Sequence, residues 1–174
     1  MVIRSSQGQL IKWNGLNLHI HAGSLPEGIA QCTIYIKVSL AGEYEFSEGT
    51  SLVSAVYWVC CEPRCTFTKP ITVEIQHCSA KQDPSRLKIV RAFCSQKQLP
   101  YKFKPLEGGR FDANTSYGAV EVNGFSGFGV TEESPASERL YYNQLFYFSY
   151  PRHQRKHEIH IIFTWNTEAH INVS

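Results

Sequence analysis

Between residues 31 and 40, apolar and polar side chains take turns. Cys32, Ile34, Ile36, Val38 and Leu40 alternate with Gln31, Thr33, Tyr35, Lys37 and Ser39. A period of two sends successive side chains to opposite faces of an extended chain, so this segment is predicted to be a strand with one apolar and one wet face. Further runs with strand character are 16–21, 52–61, 71–77, 87–94, 101–103, 119–122, 140–150 and 159–165. Turn chemistry separates nearly all of them, as in Leu25-Pro26-Glu27-Gly28, Glu62-Pro63-Arg64, Asp83-Pro84-Ser85 and Glu107-Gly108-Gly109. No long stretch with the 3.6-residue period of a helix is present, so the crossover helices of a parallel sheet are missing. The fold class expected is all-β: an antiparallel β-sandwich followed by a partial second β unit.

The division between the two is expected in the polar, acidic, proline-bearing stretch Glu132-Glu133-Ser134-Pro135-Ala136-Ser137-Glu138. This gives a first unit at 8–131, a linker at 132–138 and a truncated second unit at 139–174. The second contains two aromatic-rich strands joined by a basic turn, and two strands alone are marginal in water.

Composition narrows the function. Of 174 residues, 43% are apolar, enough to bury a core, and 17 basic against 15 acidic residues leave a charge of +2. So small a surplus does not mark a surface built for phosphate backbones, and nucleic acid is not an expected partner. No window approaches a membrane-spanning apolar run, and residues 1–10 lack a secretory core, so a cytoplasmic location is expected. Six cysteines, with Cys60 and Cys61 adjacent and most of the others inside strand-like runs, read as reduced, packed thiols.

The run Phe67-Thr68-Lys69-Pro70-Ile71-Thr72-Val73-Glu74-Ile75-Gln76-His77-Cys78 resembles the signature strand of ZU5 domains, which occur in ankyrins, tight-junction scaffolds and netrin receptors. Gly15-Leu16-Asn17-Leu18-His19-Ile20 leading to Leu25-Pro26, and Phe125-Ser126-Gly127-Phe128, agree with it. Beyond the linker, Leu145-Phe146-Tyr147-Phe148 and the run from Glu158 to Ala169 are similar to the opening of a UPA domain, which commonly follows ZU5. The resemblance implies two consecutive β-sandwiches, often followed by a death domain. It also implies binding rather than turnover: ankyrin relatives hold spectrin, and netrin-receptor relatives fold these domains against their neighbours.

In some death-domain relatives the first domain ends in His-Phe-Ser and cuts itself before the serine. The matching positions here are Gly124, Phe125 and Ser126. Such an acyl shift needs a base beside the hydroxyl, because a serine at its free pKa is a weak nucleophile, and Gly124 supplies no imidazole. The positions are therefore read as degenerate: Phe125 and Phe128 pack inward, Gly124, Gly127 and Gly129 permit bends, and no catalytic residue is assigned.

Other chemistry fares no better. Cys61, Cys65, His77 and Cys78 have zinc-type donors, but His77 and Cys78 are adjacent on a strand and point to opposite faces. His19 and His21 share a face without a third ligand. His157 and His160 lack a metalloprotease pattern, and Gly124-Phe125-Ser126-Gly127-Phe128 is not a nucleophile elbow. No metal or cofactor is expected.

Two surface features remain. Arg152, Arg155 and Lys156 concentrate positive charge between two strands, either as a solvated tip or as a contact for an acidic partner or anionic lipid. Tyr141, Tyr142, Phe146, Tyr147 and Phe148 are too dense for two wet faces and suit a shared core. The reading is a non-catalytic interaction or scaffold module of an intracellular signalling or cytoskeletal adaptor, whose partners are other proteins or neighbouring domains such as a death domain. The alternatives are an autoprocessing relative and a small-ligand or metal-binding sandwich.

Overall fold

A computed structural model describes residues 1–39, 42–79, 83–93, 99–133, 142–149 and 158–165. Its first strands are β1 (Val2–Arg4), β2 (Gln9–Trp13), β3 (Leu16–Ile20), β4 (Gln31–Ser39), β5 (Tyr44–Glu45), β6 (Thr50–Leu52), β7 (Val56–Glu62) and β8 (Ile71–Gln76). They are followed by β9 (Leu87–Ala92), β10 (Tyr101–Lys102), β11 (Lys104–Pro105), β12 (Arg110–Phe111), β13 (Tyr117–Val122), β14 (Gly127–Glu133), β15 (Tyr142–Ser149) and β16 (Glu158–Trp165). Only a short 3-10 turn at Pro84–Arg86 interrupts this all-β pattern among the described residues.

The chain divides into two compact units, Met1–Ser134 and Pro135–Ser174. In the second, β15 and β16 pair antiparallel from Tyr142↔Trp165 to Ser149↔Glu158. The first is a sandwich. One sheet runs β1-β4-β7-β14-β9-β11, with β6 also on β14, and the other runs β12-β13-β8-β3-β2. Both are antiparallel throughout, while a small β5–β10 ribbon pairs parallel.

The period-two pattern decides which side chains meet between the sheets. Ile34, Val59, Phe128, Val130 and Ile89 come from one side, and Leu16, Leu18, Ile71, Val73, Ile75 and Val120 from the other, forming one buried cluster. Each such side chain contributes roughly 1.5–3 kcal/mol when fully removed from water. The alternate residues of the larger sheet are also used. Val56, Val90, Ala92 and Phe103 form a second, smaller cluster with Trp58, Tyr44 and Tyr101 packed against it.

The predicted strand 52–61 is two strands. At the break, the Ser54 hydroxyl accepts the Val130 N–H at 2.8 Å and donates to the Ala55 carbonyl at 2.7 Å. A side chain thus takes a place in the ladder, and β14 pairs with β7 at one end and with β6 at the other. β14 itself was not among the predicted strands, since its glycines and acidic residues disguise it. It continues through Glu133, so Glu132 and Glu133 are strand residues and not loop. β2 was also not among them, although Asn14-Gly15 joins it to β3 by a two-residue turn with φ of 43° and 84°. Tyr57 crosses the interior to donate its hydroxyl to the Asn14 carbonyl at 2.7 Å, and it leaves no room for a Cβ at Gly15.

Candidate functional site

Because β14 alternates, its inward side chains are Ser126 just before it, then Phe128, Val130 and Glu132. Opposite them on β9 stand Leu87, Ile89 and Arg91. The middle of this double row is apolar and its two ends are polar.

At one end lie the degenerate self-cleavage positions. Ser126 is fully buried (0% exposed), its carbonyl accepts the Val59 N–H at 3.0 Å, and its hydroxyl accepts a hydrogen bond from Arg91 Nε at 2.7 Å. The guanidinium also approaches the Gly124 carbonyl at 3.5 Å and lies 4.8 Å from the Phe93 ring centre and 6.0 Å from that of Phe128. Phe125 meets Phe67 edge-on at 5.0 Å, which holds the turn to the segment that leads into β8. Phe125 and Phe128 do pack inward, as the sequence suggested.

This geometry opposes nucleophilic chemistry. A serine becomes reactive when a base takes its proton, whereas here its side-chain partner is a permanent cation that occupies an oxygen lone pair. Space is not the obstacle: a Cβ built on Gly124 meets nothing within 4 Å. Two features stand in the way instead: no base is present, and Arg91 holds the hydroxyl.

The other proposed constellations separate. Cys61 and Cys65 have their sulfurs 4.0 Å apart beside Cys32, toward the Ser126 end of the interior. Burial, with the neighbouring Cys61 thiol adding to it, pushes Cys32 up to about 12 and Cys65 up to about 11. Such thiols stay protonated and behave as small apolar groups. His77 and Cys78 lie toward the opposite end, near Glu132. Among the described residues no three His, Cys, Asp or Glu side chains are placed to hold a metal ion. His19 instead meets Glu74 at 3.1 Å on the outer face, where Asn17 also donates to that carboxylate at 2.9 Å. Despite partial burial, these donors hold the Glu74 carboxyl below its usual range.

Sequence reasoning named Gly124, Phe125 and Ser126 but missed Arg91, because only the β9–β14 register brings residues 35 positions apart together. Arg152, Arg155 and Lys156 lie outside the described residues, as do His157 and Tyr141.

The model of the ZU5 domain family matches residues 1–92, from β1 through β9. The chain belongs to the ZU5 family. Its matched part includes Arg91 and the run 67–78, while Ser126 lies beyond it in the same sandwich. No curated protein matches the chain. ZU5 domains are protein-interaction domains, generally non-catalytic, and no helix among the described residues is long and apolar enough to cross a membrane.

Proposed function

We propose that this ZU5 chain is a non-catalytic scaffold segment of a cytoplasmic signalling or cytoskeletal adaptor. In this reading a ZU5 sandwich, whose last strand runs through Glu133, is followed by the opening strands of a UPA domain. The observation that carries it is the Arg91–Ser126 hydrogen bond, which puts a cation where autoprocessing requires a base. Family membership supports binding as the activity. The antiparallel pairing of 142–149 with 158–165 is consistent with a UPA opening. Its partners are other proteins or neighbouring domains of the same polypeptide, a death domain being the type the resemblance favours. The basic residues Arg152, Arg155 and Lys156 are proposed to contact an acidic surface.

Two measurements test this. Intact mass after prolonged incubation is expected to show one uncut species, and fragments starting at Ser126 would establish the autoprocessing alternative. Binding of the whole chain to a purified death domain is expected to weaken when Arg155 and Lys156 are both changed to Glu. Equal binding removes the basic tract from the reading, and absence of binding removes the death domain as partner.

A further inference from the structure

The second polar end of the sandwich has no part in the proposed function. Following the inward series Ile71, Val73 and Ile75, the next inward residue of that sheet is His77, just past the end of β8. Following Phe128 and Val130 in the facing sheet, the next is Glu132. An ionisable group therefore ends the inward series of each sheet. Both are deeply buried, His77 at 7% and Glu132 at 2% exposure. Neither imidazole nitrogen has a hydrogen-bond partner, nor does Glu132 Oε1. Buried polar atoms are nearly always satisfied, so a group with two unsatisfied nitrogens calls for an explanation.

Among the described residues, the groups that touch His77 are uncharged. From β12 the Phe111 ring meets its imidazole edge-on, with ring centres 5.8 Å apart. The carbonyl of Ser116, just before β13, accepts its backbone N–H at 2.8 Å. In its own segment, Cys78 donates its backbone N–H to the Val53 carbonyl at 2.8 Å and its thiol to the same atom at 3.2 Å. Arg86 and Glu133 stand at this end too, with the guanidinium on the Glu133 carbonyl at 2.8 Å; Arg86 is half-buried and Glu133 exposed. Glu132 is the charged group acting on His77.

We infer that His77, buried with neither ring nitrogen hydrogen-bonded, is a proton-operated latch on this end of the sandwich, closed while the imidazole is neutral and loosened when it takes a proton from solvent. The position gives the latch something to act on. Glu132 is followed by Glu133 and Ser134, where the first compact unit ends and the chain passes to the second.

The sign follows from burial. Desolvation holds the His77 imidazole below its ordinary value of 6.5, with the Glu132 carboxylate opposing in part. The unfolded chain therefore binds this proton more readily than the folded one. The contribution to stability is complete above about 6.5 and is lost as pH falls below it toward the folded value. The unfolding equilibrium constant rises by up to about tenfold per pH unit in that window from this group alone.

The test uses the whole chain. Imidazole titration by NMR, with His77 assigned by difference from His77→Phe, is expected to give a midpoint below 6.5 that falls further in Glu132→Gln. Urea unfolding between pH 7.5 and 5.5 is expected to show a steeper acid loss in the wild-type chain than in His77→Phe. Hydrogen exchange, corrected for intrinsic rate, is expected to show the His77 and Cys78 amides losing protection at acid pH before those of β3. A His77 midpoint at or above 6.5, or one that ignores Glu132→Gln, would overturn the latch, as would equal pH slopes. Should His77→Phe fail to fold, His77 is assigned by through-bond correlation in the wild-type chain, and its titration there and in Glu132→Gln decides alone.

Discussion

Arg91 is the residue whose removal discriminates best between a structural plug and a dispensable surface charge. In Arg91→Ala, Ser126 Oγ loses a charge-assisted hydrogen bond of 2.7 Å at a fully buried site. Hydrogen bonds to charged groups contribute roughly 1.5–3 kcal/mol, and a buried hydroxyl left unsatisfied costs about 1–3 kcal/mol. These describe the same event from two sides and do not add. The stacking of the guanidinium on Phe93 and Phe128 contributes a further ~0.5–1 kcal/mol, since Phe93 is 62% exposed and water screens that contact. The expected loss is about 3 kcal/mol. Ser126→Ala is expected to cost only about 1 kcal/mol, because Arg91 is half-buried and keeps its other contacts. A double-mutant cycle by urea denaturation, with unchanged m-values as a check on two-state behaviour, is expected to return a coupling of about 1–2 kcal/mol. Coupling below ~0.5 kcal/mol, or a Ser126→Ala loss larger than that of Arg91→Ala, refutes the plug.

Gly124→His should fold, since nothing lies within 4 Å of the new Cβ, and the chain should stay uncut by intact mass because Arg91 still occupies the hydroxyl of Ser126. Cleavage before Ser126 in that variant would mean that the base alone was missing. Gly127→Ala should cost about 1–3 kcal/mol by denaturation, since its Cβ would meet the Trp58 ring at 2.6 Å, and tryptophan emission should report the displaced ring. Under native conditions a thiol reagent should modify exposed Cys60 promptly, whereas Cys32, buried and held protonated, should react only on unfolding. Leu18→Ala should cost about 2–5 kcal/mol and Leu10→Ala, on a half-exposed edge position, under about 0.5 kcal/mol.

How much could be read from the chain alone depends on how local the deciding physics is. The alternation at 31–40 and 71–77 gave correct strands, because one face of each must be buried whatever lies opposite. Asn14-Gly15 carries a local signal for the β2–β3 hairpin, a two-residue turn of the type that joins adjacent strands. β14 offered no such signal. Its glycines look like loop and its Glu132-Glu133 looks like linker, yet Trp58 covers Gly127 and the interior takes Glu132. Ser54 sits in an apolar run that reads as continuous, and only its bond to Val130, 76 positions away, breaks the strand.

The sequence by itself determined the all-β class, the apolar face of the 31–39 strand, and the absence of a histidine before Phe125-Ser126. These follow from spacing and residue type, which need no partner. Tertiary structure alone decided that Arg91 takes the hydroxyl of Ser126, that the thiols of Cys61 and Cys65 lie away from His77, and that His77 lies near Glu132. Each of these is a pairing across strands or sheets. The register that makes it is set by the packing of the whole core and by no short stretch of residues.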